Sequence, residues 1–589
     1  MKKLLLSALA CMFFGATLLA QVTTVPAIIQ QGYEGEITII FNPNEGTKGM
    51  VGATQCYAHT GITYNGQSWQ KTGTWRDGLE KYKMTKNADG NWELKITPNI
   101  YAYYGVPATT KITQICLVFN DGPKGSKEGK AAGGKDIFVD LVEPGLVATI
   151  NLSPEGIVPL NQEINVSCHT TVDADMELTL NGSPVQTATG KEMTYSTTAT
   201  QTGDYVFVLT ATADGKTVTA TSTAYVPEEV VTKARPQGVD NGIYYDSADP
   251  TKVTLCTYAA SKTAPAQRVF VVGDFNNWTI NSTGQMFRDG NYFWTTLTDL
   301  TPQKEYGFQY VVIRDDGKQV RISDLYSEKV LTPEDQWEPR TVDPTLMPYP
   351  SQADGYVTVI QTGKPAFQWS QETLNFKRPN KNNLIIYEVW IYDHTSERCL
   401  EGMMDRLDYI ANLGVNCVEL MPVCEYDGNN SWGYCPNHYF ALEKTLGTPT
   451  QLKTFVDECH KRGIAVVLDM VFNHATGNNP MNKLYPYGTD LSKNPWFNTS
   501  APHPDNVYED WNHDFEPAHT MFRRAVQYWL TEYKVDGYRF DLSHGLCGPS
   551  YDAVKNLKDY YDAMQAASAG SYLMLEHWGS NMGSDRPQL

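Results

Sequence analysis

The sequence has few charged residues, and basic residues are the scarcer kind. Charged side chains make up 19% of the 589 residues, with 47 Lys and Arg against 66 Asp and Glu, so the formal net charge is −19. Nucleic-acid binding relies on clustered Lys and Arg, so this balance argues against such a partner. The hydrophobic content of 41% excludes a largely disordered chain. The length suggests about four domains, at roughly 150 residues each.

Long apolar runs are absent after the N-terminus. Two lysines precede the apolar run Leu4–Leu19, and Ala20 offers a small residue for cleavage, so residues 1–20 are predicted to be a signal peptide. No later segment approaches the roughly 20 apolar residues of a membrane span. We expect a secreted, periplasmic or cell-surface protein without a transmembrane segment. Cys11 stands in a poor lipoprotein motif, and lipid anchoring stays open.

Cysteine motifs with metal-ligand spacing are absent as well. One of the 11 cysteines lies in the predicted signal peptide, and the others form no CxxC pair and no metal-type cluster with histidine. Export permits disulfides, but buried free thiols fit the sequence equally well. The connectivity cannot be derived from the sequence.

Short alternating strands broken by Gly, Asn, Asp and Pro fill the chain from 21 to about 230. This pattern is typical of β-sandwiches and predicts two modules, 21–143 and 144–230, the second of immunoglobulin type. Leu178–Gly182 is predicted to form a hairpin.

The first module is rich in aromatic residues. Its tryptophans and tyrosines either form a sugar-stacking surface, which would make it a glycan-binding module, or belong to the core. They are Trp69, Trp75, Trp92, Tyr101, Tyr103 and Tyr104.

A charged linker at Glu228–Pro236 leads to a third β-rich module, 237–345. Its apolar strand Val269–Gly273 runs into the polar turn Asp274–Asn277, which Trp278 closes. This string resembles the early-set N-terminal module of glycogen-branching and starch-debranching enzymes. That module packs on the catalytic domain and sometimes binds α-glucan, so Trp278 has a structural and a ligand-binding interpretation, of which we favour the structural one.

Apolar strands alternate with helices from Leu384 onward. The repeated βα unit predicts a (β/α)8 TIM-type barrel over 384–589. Only five βα units can be found before Leu589, so we expect an incomplete barrel, a longer parent protein and little or no activity from these residues alone. The strands are predicted at Leu384–Tyr392, Val415–Pro422, Ile464–Phe472, Val535–Asp541 and Tyr572–Glu576, and helices at Met403–Leu413, Gln451–Arg462, Pro517–Tyr533 and Ala553–Ala566.

Polar residues end three of these strands, where the active sites of such barrels lie. Two carboxylates on adjacent strands can flank one glycosidic bond, as acid-assisted displacement requires. Asp541, held ionised by Arg539, is the expected nucleophile. Glu576, kept protonated by desolvation beside Trp578 and by the charge of Asp541, is the expected acid and then base.

Four strings make the likeness specific: Asp469–His474, Gly537–Asp541, Leu575–His577 and Ser431–Phe440. The chain from about 237 resembles the α-amylase family of retaining glycoside hydrolases. The resemblance implies that Asp541 is the nucleophile and Glu576 the acid/base. It also implies that the glucose on the non-reducing side of the bond is held by Tyr434, Asp469, His474 and Arg539, with His577 as a further substrate-binding residue.

The resemblance also raises the question of a structural calcium ion. Asn473 matches a residue that ligates Ca²⁺ in many family members through its side-chain oxygen. Many of those members have a histidine four residues after the nucleophile, where this chain has Gly545, with His544 one residue early. The family's His-Asp pair after the seventh strand has no counterpart before Leu589.

The leading functional hypothesis is a secreted hydrolase that cleaves α-1,4 bonds of starch-like α-glucans. The alternative within the same fold is an α-1,6 debranching enzyme of the pullulanase or isoamylase kind. A glucan-binding protein with a vestigial barrel is the alternative from another class. A branching transferase would share the module and the catalytic pair, but export argues against glycogen synthesis.

Overall fold

The computed structural model describes residues 21–131, 134–336, 338–486 and 488–577. The chain forms two compact units. One contains the chain up to Glu229 together with Ile280–Thr283, and the other contains Val230–Thr279 and the chain from Gly284. The predicted signal peptide, Cys11 and Trp578 lie outside the described residues.

The first module is a pair of packed sheets. One sheet has the order β1-β3-β7-β6, and the other has the order β2-β10-β8-β4-β5 with β9 beside β8. Phe41 of β3 stacks on Phe119 of β8 at 3.9 Å between ring centroids, so one core joins the two sheets. The elements are β1 (Val22–Val25), β2 (Ile29–Gln30), β3 (Ile37–Phe41), β4 (Tyr57–Tyr64), β5 (Gln67–Gln70), β6 (Thr85–Lys86), β7 (Trp92–Ile96), α1 (Ile100–Tyr104), β8 (Ile112–Asn120), β9 (Glu128–Gly129) and β10 (Ile137–Val142).

The aromatic residues of this module divide between core and surface. Trp92 is 4% exposed, and the three tyrosines of α1 are also buried, so the core interpretation holds for these four. Trp75 is 41% exposed and Trp69 is half-buried.

The second module is built on long strands with their own core. Its sheet has the order β11-β13-β15-β16-β12, with β14 beside β13. The predicted hairpin is confirmed: β13 and β14 are joined by Asn181 and Gly182, which both have positive φ, as a tight two-residue turn requires. The strands are β11 (Ala148–Ser153), β12 (Gly156–Ile157), β13 (Glu163–Leu180), β14 (Ser183–Thr198), β15 (Gly203–Ala213) and β16 (Lys216–Val226).

The third β-rich module has two sheets, β17-β18-β21-β20 and β19-β22-β25-β24, with β23 beside β22. Its predicted end at 345 is too early, because β25 hydrogen-bonds to β22 and β24. Trp278 is 6% exposed and donates from Nε1 to Asp274 at 2.9 Å, as the structural interpretation predicts. The elements are β17 (Gly242–Tyr245), β18 (Val253–Tyr258), β19 (Arg268–Gly273), β20 (Phe287–Asp289), β21 (Tyr292–Leu297), β22 (Glu305–Ile313), β23 (Gln319–Ile322), β24 (Val330–Leu331), α2 (Glu338–Val342) and β25 (Val357–Gln361).

The remainder is an α/β domain around a parallel sheet. The described strands of this sheet have the order β26-β27-β30-β33-β34, and every neighbouring pair is parallel. Two small antiparallel pairs, β28-β29 and β31-β32, lie in the excursions after β27 and β30. The strands are β26 (Ile386–Val389), β27 (Cys417–Leu420), β28 (Cys424–Tyr426), β29 (Pro436–Leu442), β30 (Ala465–Met470), β31 (His474–Ala475), β32 (Glu509–Asp510), β33 (Gly537–Phe540) and β34 (Tyr572–Leu575).

Helices follow the strands at nearly the predicted places. The helix predicted at Met403–Leu413 is two short helices, and α7 begins with Pro449 behind a capping box of Thr448 and Gln451. This cap satisfies the first free N–H groups of the helix, and Gly463, with φ of 73°, follows its last turn. The helices are α3 (Gln371–Leu374), α4 (Ile391–His394), α5 (Leu400–Met404), α6 (Leu407–Asn412), α7 (Pro449–Lys461), α8 (Pro480–Leu484), α9 (Glu516–Glu532) and α10 (Ala553–Ala567).

The described residues bear on the predictions about the cysteines and about membrane-spanning segments. The cysteines among them are free thiols, and all except Cys435 are buried. In the same part of the chain, every helix is too short or too polar to cross a bilayer.

Candidate active site

The site lies at the carboxyl ends of β30, β33 and β34. These strands are parallel, and Asp469 of β30 stands opposite Arg539 of β33 in the register. Asp541 directly follows β33 and Glu576 directly follows β34. The backbone of each is tied to the neighbouring strand, with Asp541 N–H bonded to the carbonyl of Met470 and Glu576 N–H to that of Phe540. The apolar strands thus bring three carboxylates to one edge of the sheet.

Arg539 is the centre of this group. Its Nη1 lies 2.9 Å from both carboxylate oxygens of Asp469 and 3.0 Å from Oδ1 of Asp541. Its Nη2 lies 2.9 Å from Oε2 of Glu576. One guanidinium therefore contacts three acidic side chains, and its planar set of donors suits this task better than a lysine would.

The acidic groups have unusual proton affinities. Burial raises the pKa of Asp469 to about 7, although the charge of Arg539 opposes this shift. Burial also raises the pKa of Asp541, and the hydrogen bond to Glu576 and its negative charge act in the same direction. The charge of Arg539 favours the ionised form of Asp541, as expected, but desolvation and the second carboxyl group outweigh the single guanidinium, so the pKa is raised.

The backbone after the nucleophile is strained. Leu542 has φ of 42° and ψ of 50°, a left-handed conformation that is costly for a side chain of this size. This turn directs the N–H of Leu542 to Oε2 of Glu576 at 3.1 Å. The next residue, Ser543, donates from its N–H and its hydroxyl to the carbonyl of Glu576. The loops carrying the two predicted catalytic residues are therefore tied together.

Tyr434 comes from the loop between β28 and β29. Its hydroxyl donates to Oδ2 of Asp469 at 2.7 Å, so the structure brings these two predicted substrate-binding residues together. The third β module supports this hairpin. Ser323 Oγ and His438 Nε2 lie 2.8 Å apart, and Asn437 donates to the hydroxyl of Tyr356 at 2.9 Å.

His474 is placed as predicted but bonds differently. Its Nε2 lies 2.9 Å from the backbone carbonyl of Tyr434, so this nitrogen carries the proton and donates to the protein. Burial lowers the pKa of His474 to about 4, which keeps the ring neutral. Nδ1 is buried without a hydrogen-bond partner in the described part of the chain. The Nε2 proton is therefore used within the protein, and Nδ1 is left as an acceptor.

His577 lies beside the pair rather than between the two carboxyl groups. Its Nδ1 is 3.0 Å from the hydroxyl of Ser543, which itself donates to the carbonyl of Glu576. Burial lowers the pKa of His577. Its other nitrogen is buried and has no partner within the described ranges.

Asn473 lies next to Asp541, with its Nδ2 3.4 Å from Oδ2 of that carboxylate. Its Oδ1, the predicted calcium ligand, is buried without a partner among the described residues. The nearby carboxylate of Asp510 is occupied by His503 at 2.7 Å and Asn498 at 2.6 Å. The ring of His503 also fills the space beside Gly545, since a Cβ at that position would lie 3.1 Å from Nε2 of His503.

These contacts do not make a good calcium site. Ca²⁺ takes about six to eight oxygen ligands. Within the described ranges, no group of three or more His, Cys, Asp or Glu side chains is arranged to hold a metal ion. A His–Asp pair lies beside the expected ligand position, so the residues present do not fit the ion.

The sequence analysis missed a set of aromatic residues near the candidate active site. Trp432 is 61% exposed and meets Trp390 edge to face at 6.3 Å, while Tyr508 lies 5.3 Å from His474. Trp390 lies near the end of the predicted strand Leu384–Tyr392, and Trp432 stands in the string that contains Tyr434, so their positions could have been noted. Tyr508 lies in a long loop without a periodic pattern.

Comparison with known proteins identifies this domain. The family model for the α-amylase catalytic domain matches residues 375–520. A malto-oligosyltrehalose trehalohydrolase of Saccharolobus solfataricus is 33% identical over 262 residues, which cover 44% of this chain and 39% of that protein. Chloroplastic isoamylase 1 of Oryza sativa subsp. japonica is 33% identical over 210 residues, covering 30% of this chain and 26% of its own length.

Among solved structures, the Group B Streptococcus pullulanase SAP is 18% identical with a TM-score of 0.44, covering 73% of this chain and 58% of that chain. The matched segments span less than half the length of the trehalohydrolase and of the isoamylase. The predicted resemblance is confirmed: residues 375–520 match the catalytic domain of the α-amylase family, and the similar proteins are enzymes that act on α-glucosidic bonds.

Proposed function

We propose that the protein is a secreted retaining glycoside hydrolase of α-glucans, with Asp541 as nucleophile and Glu576 as acid/base. The observation that carries this proposal is the contact of one guanidinium, that of Arg539, with three carboxylates at the ends of three parallel strands. Such a constellation can flank a single glycosidic bond.

In the first step, Asp541 attacks the anomeric carbon as the bond to the leaving sugar breaks. Glu576 gives its proton to the departing oxygen, which leaves as a neutral hydroxyl, and a covalent glycosyl–enzyme ester remains. Glu576 must turn away from Nη2 of Arg539 to reach that oxygen, because the two groups are paired in this structure. Arg539 keeps its contacts with Asp469 and Asp541 during this turn.

In the second step, Glu576 takes a proton from water, and the oxygen of that water attacks the anomeric carbon. The ester bond breaks and Asp541 leaves as a carboxylate, so both groups return to their initial state. Tyr434 presents an aromatic ring on which a glucose residue can stack, and its hydroxyl is held by Asp469.

The bond specificity is the open part of this proposal. We favour cleavage of α-1,4 bonds. The alternative, α-1,6 debranching, has one specific observation in its favour, which is the similarity to a plant isoamylase. The two activities give different products from pullulan, panose for α-1,4 cleavage and maltotriose for α-1,6 cleavage.

The test uses the protein as its source makes it, because the matched segments span less than half the length of the similar curated proteins. Its intact mass is measured first, then its products from pullulan, and then the site of covalent labelling by an epoxide analogue of glucose. We expect panose, and a label on Asp541. Glu576→Gln, the matched control, removes the acid and keeps the nucleophile. A label elsewhere, or no α-glucan product, would contradict the proposal.

A further inference from the structure

The first module carries an aromatic cluster at its surface, formed by His59, Trp69 and Trp75. His59 of β4 stacks on Trp69 of β5 at 5.2 Å between centroids and meets Trp75 edge to face at 5.0 Å. Trp75 is 41% exposed, and the other two rings are half-buried. The cluster lies in the unit that ends at Glu229, separate in the fold from the candidate active site.

The backbone around this cluster has an unusual conformation. Trp69, Lys71 and Arg76 have φ of 59° each, in the left-handed region that side chains rarely adopt. Three such residues within eight positions store strain, which persists only where the surroundings fix the backbone. Here Nε1 of Trp69 donates to Asp136 at 3.0 Å, and the guanidinium of Arg76 binds Asp121 at 2.7 Å.

Two glycines hold the loop that carries Trp75 against the module. A Cβ on Gly73 would lie 2.9 Å from the ring of Tyr82, and one on Gly78 would lie 2.6 Å from Pro123. The loop is therefore packed closely at both ends, with Trp75 between them. A rigid loop that presents its ring before a ligand arrives loses little entropy on binding.

Two charged residues that touch or adjoin the rings, Arg76 and Asp136, are paired within the protein. Arg76 is neutralised by Asp121, and Asp136 has Lys130 at 3.6 Å. Burial lowers the pKa of His59, which keeps this ring neutral at pH 7. The surface therefore offers aromatic faces with hydrogen-bonding groups at their edges, which suits a polyhydroxyl ligand.

We propose that His59, Trp69 and Trp75 form a carbohydrate-binding surface, and that its ligand is a chain of α-linked glucose. The C–H face of a pyranose ring stacks on an aromatic ring, while its hydroxyls reach the polar groups at the edge. A stable protein interface needs about 800 Å² per partner, far more than one exposed indole offers. The assignment to α-glucan, unlike that to carbohydrate, rests on the proposed function.

The test is affinity electrophoresis of the full chain in gels with amylopectin, xylan, hydroxyethyl cellulose or no polysaccharide. The background variant carries Tyr434→Ala and Asp541→Asn, which weakens binding at the candidate active site. We expect amylopectin to retard this chain, and Trp75→Ala to weaken the binding by about tenfold or more, since exposed tryptophans are frequent binding hot spots. Trp75→Phe should keep part of the affinity.

Phe138→Ala is the matched control, because Phe138 is an aromatic residue of the same module with 43% exposure. It should bind as the background does, and near-UV circular dichroism checks that each variant folds. Binding that survives Trp75→Ala, or no retardation in any gel, would overturn the inference. Trp75-dependent binding to xylan or cellulose but not to amylopectin would keep the carbohydrate surface and overturn its assignment to α-glucan. These outcomes do not depend on the covalent labelling of Asp541, so a failure of this inference can be distinguished from a failure of the proposed function.

Discussion

Asp541 is the residue on which the proposed chemistry depends most directly. A covalent nucleophile cannot be replaced by the surrounding groups, so Asp541→Ala in the natural protein should lower kcat/KM for α-glucan by several orders of magnitude. Initial rates with soluble starch measure this. Asp505→Ala is the control, because Asp505 binds His544 at 2.9 Å in a nearby loop and has no proposed part in the chemistry. Near-normal turnover by Asp541→Ala would contradict the assignment.

The raised pKa of Asp541 predicts the acid side of the pH profile. The nucleophile must be ionised, and burial and Glu576 shift its pKa upward, so activity is lost as the pH falls through the raised value. The acid limb of kcat/KM should therefore lie well above the ordinary carboxyl value of about 3.9. A maltosyl fluoride substrate, whose leaving group needs no acid, allows this measurement in Glu576→Gln.

In Glu576→Gln the negative charge beside the nucleophile is gone, so the limb should move to lower pH. The two groups titrate as a pair, so the comparison between wild type and variant is more informative than either profile. An acid limb that stays in place would show that Glu576 does not raise the pKa of Asp541.

At the scale of elements, the excursion between β30 and β33 is held by side chains at the place where the sequence resemblance predicts a calcium ion. Asp510 of β32 accepts from His503 and Asn498, next to the unpaired oxygen of Asn473. We predict that neither EDTA nor added calcium changes the melting temperature or the activity. Differential scanning calorimetry measures this. A fall of several degrees in EDTA, reversed by calcium and not by magnesium, would contradict the prediction.

The sequence predicted the parallel strands well because they are apolar on both faces and end at polar residues. It therefore also predicted Asp469, Asp541 and Glu576 as one site. It could not predict which nitrogen of His474 carries the proton. That nitrogen is fixed by the bond to the carbonyl of Tyr434, which lies in a loop from another part of the chain. It also missed β25, a strand of five residues that is recognisable only through its pairing with β22 and β24.

At the scale of the whole molecule, the third β module and the catalytic domain share one core. The hydroxyl of Tyr356 accepts from Asn437 and donates to the carbonyl of Tyr426 at 3.2 Å, in the hairpin whose loop carries Tyr434. Tyr356→Phe removes both of these buried hydrogen bonds, which should cost about 1–3 kcal/mol of stability. It should also raise KM more than it lowers kcat.

Denaturant unfolding and steady-state kinetics measure the two effects of Tyr356→Phe. The matched control is Tyr205→Phe, which removes a hydroxyl that bonds to the backbone of Gln201 in the other unit. It should lower stability without changing KM. An unchanged KM in Tyr356→Phe would mean that the contact supports the fold and not the substrate site.

The bonds from Ser323 and Tyr356 to the β28-β29 hairpin have a consequence for protein engineering and for evolution. The hairpin whose loop carries Tyr434, a proposed substrate-binding residue, is thus supported by a segment that precedes the catalytic domain in the chain. A recombinant protein that combines the catalytic domain of one homologue with the preceding β module of another would lose the match between the residues that make these hydrogen bonds. The two segments should therefore be inherited and exchanged together, as a single cassette from Val230 onward.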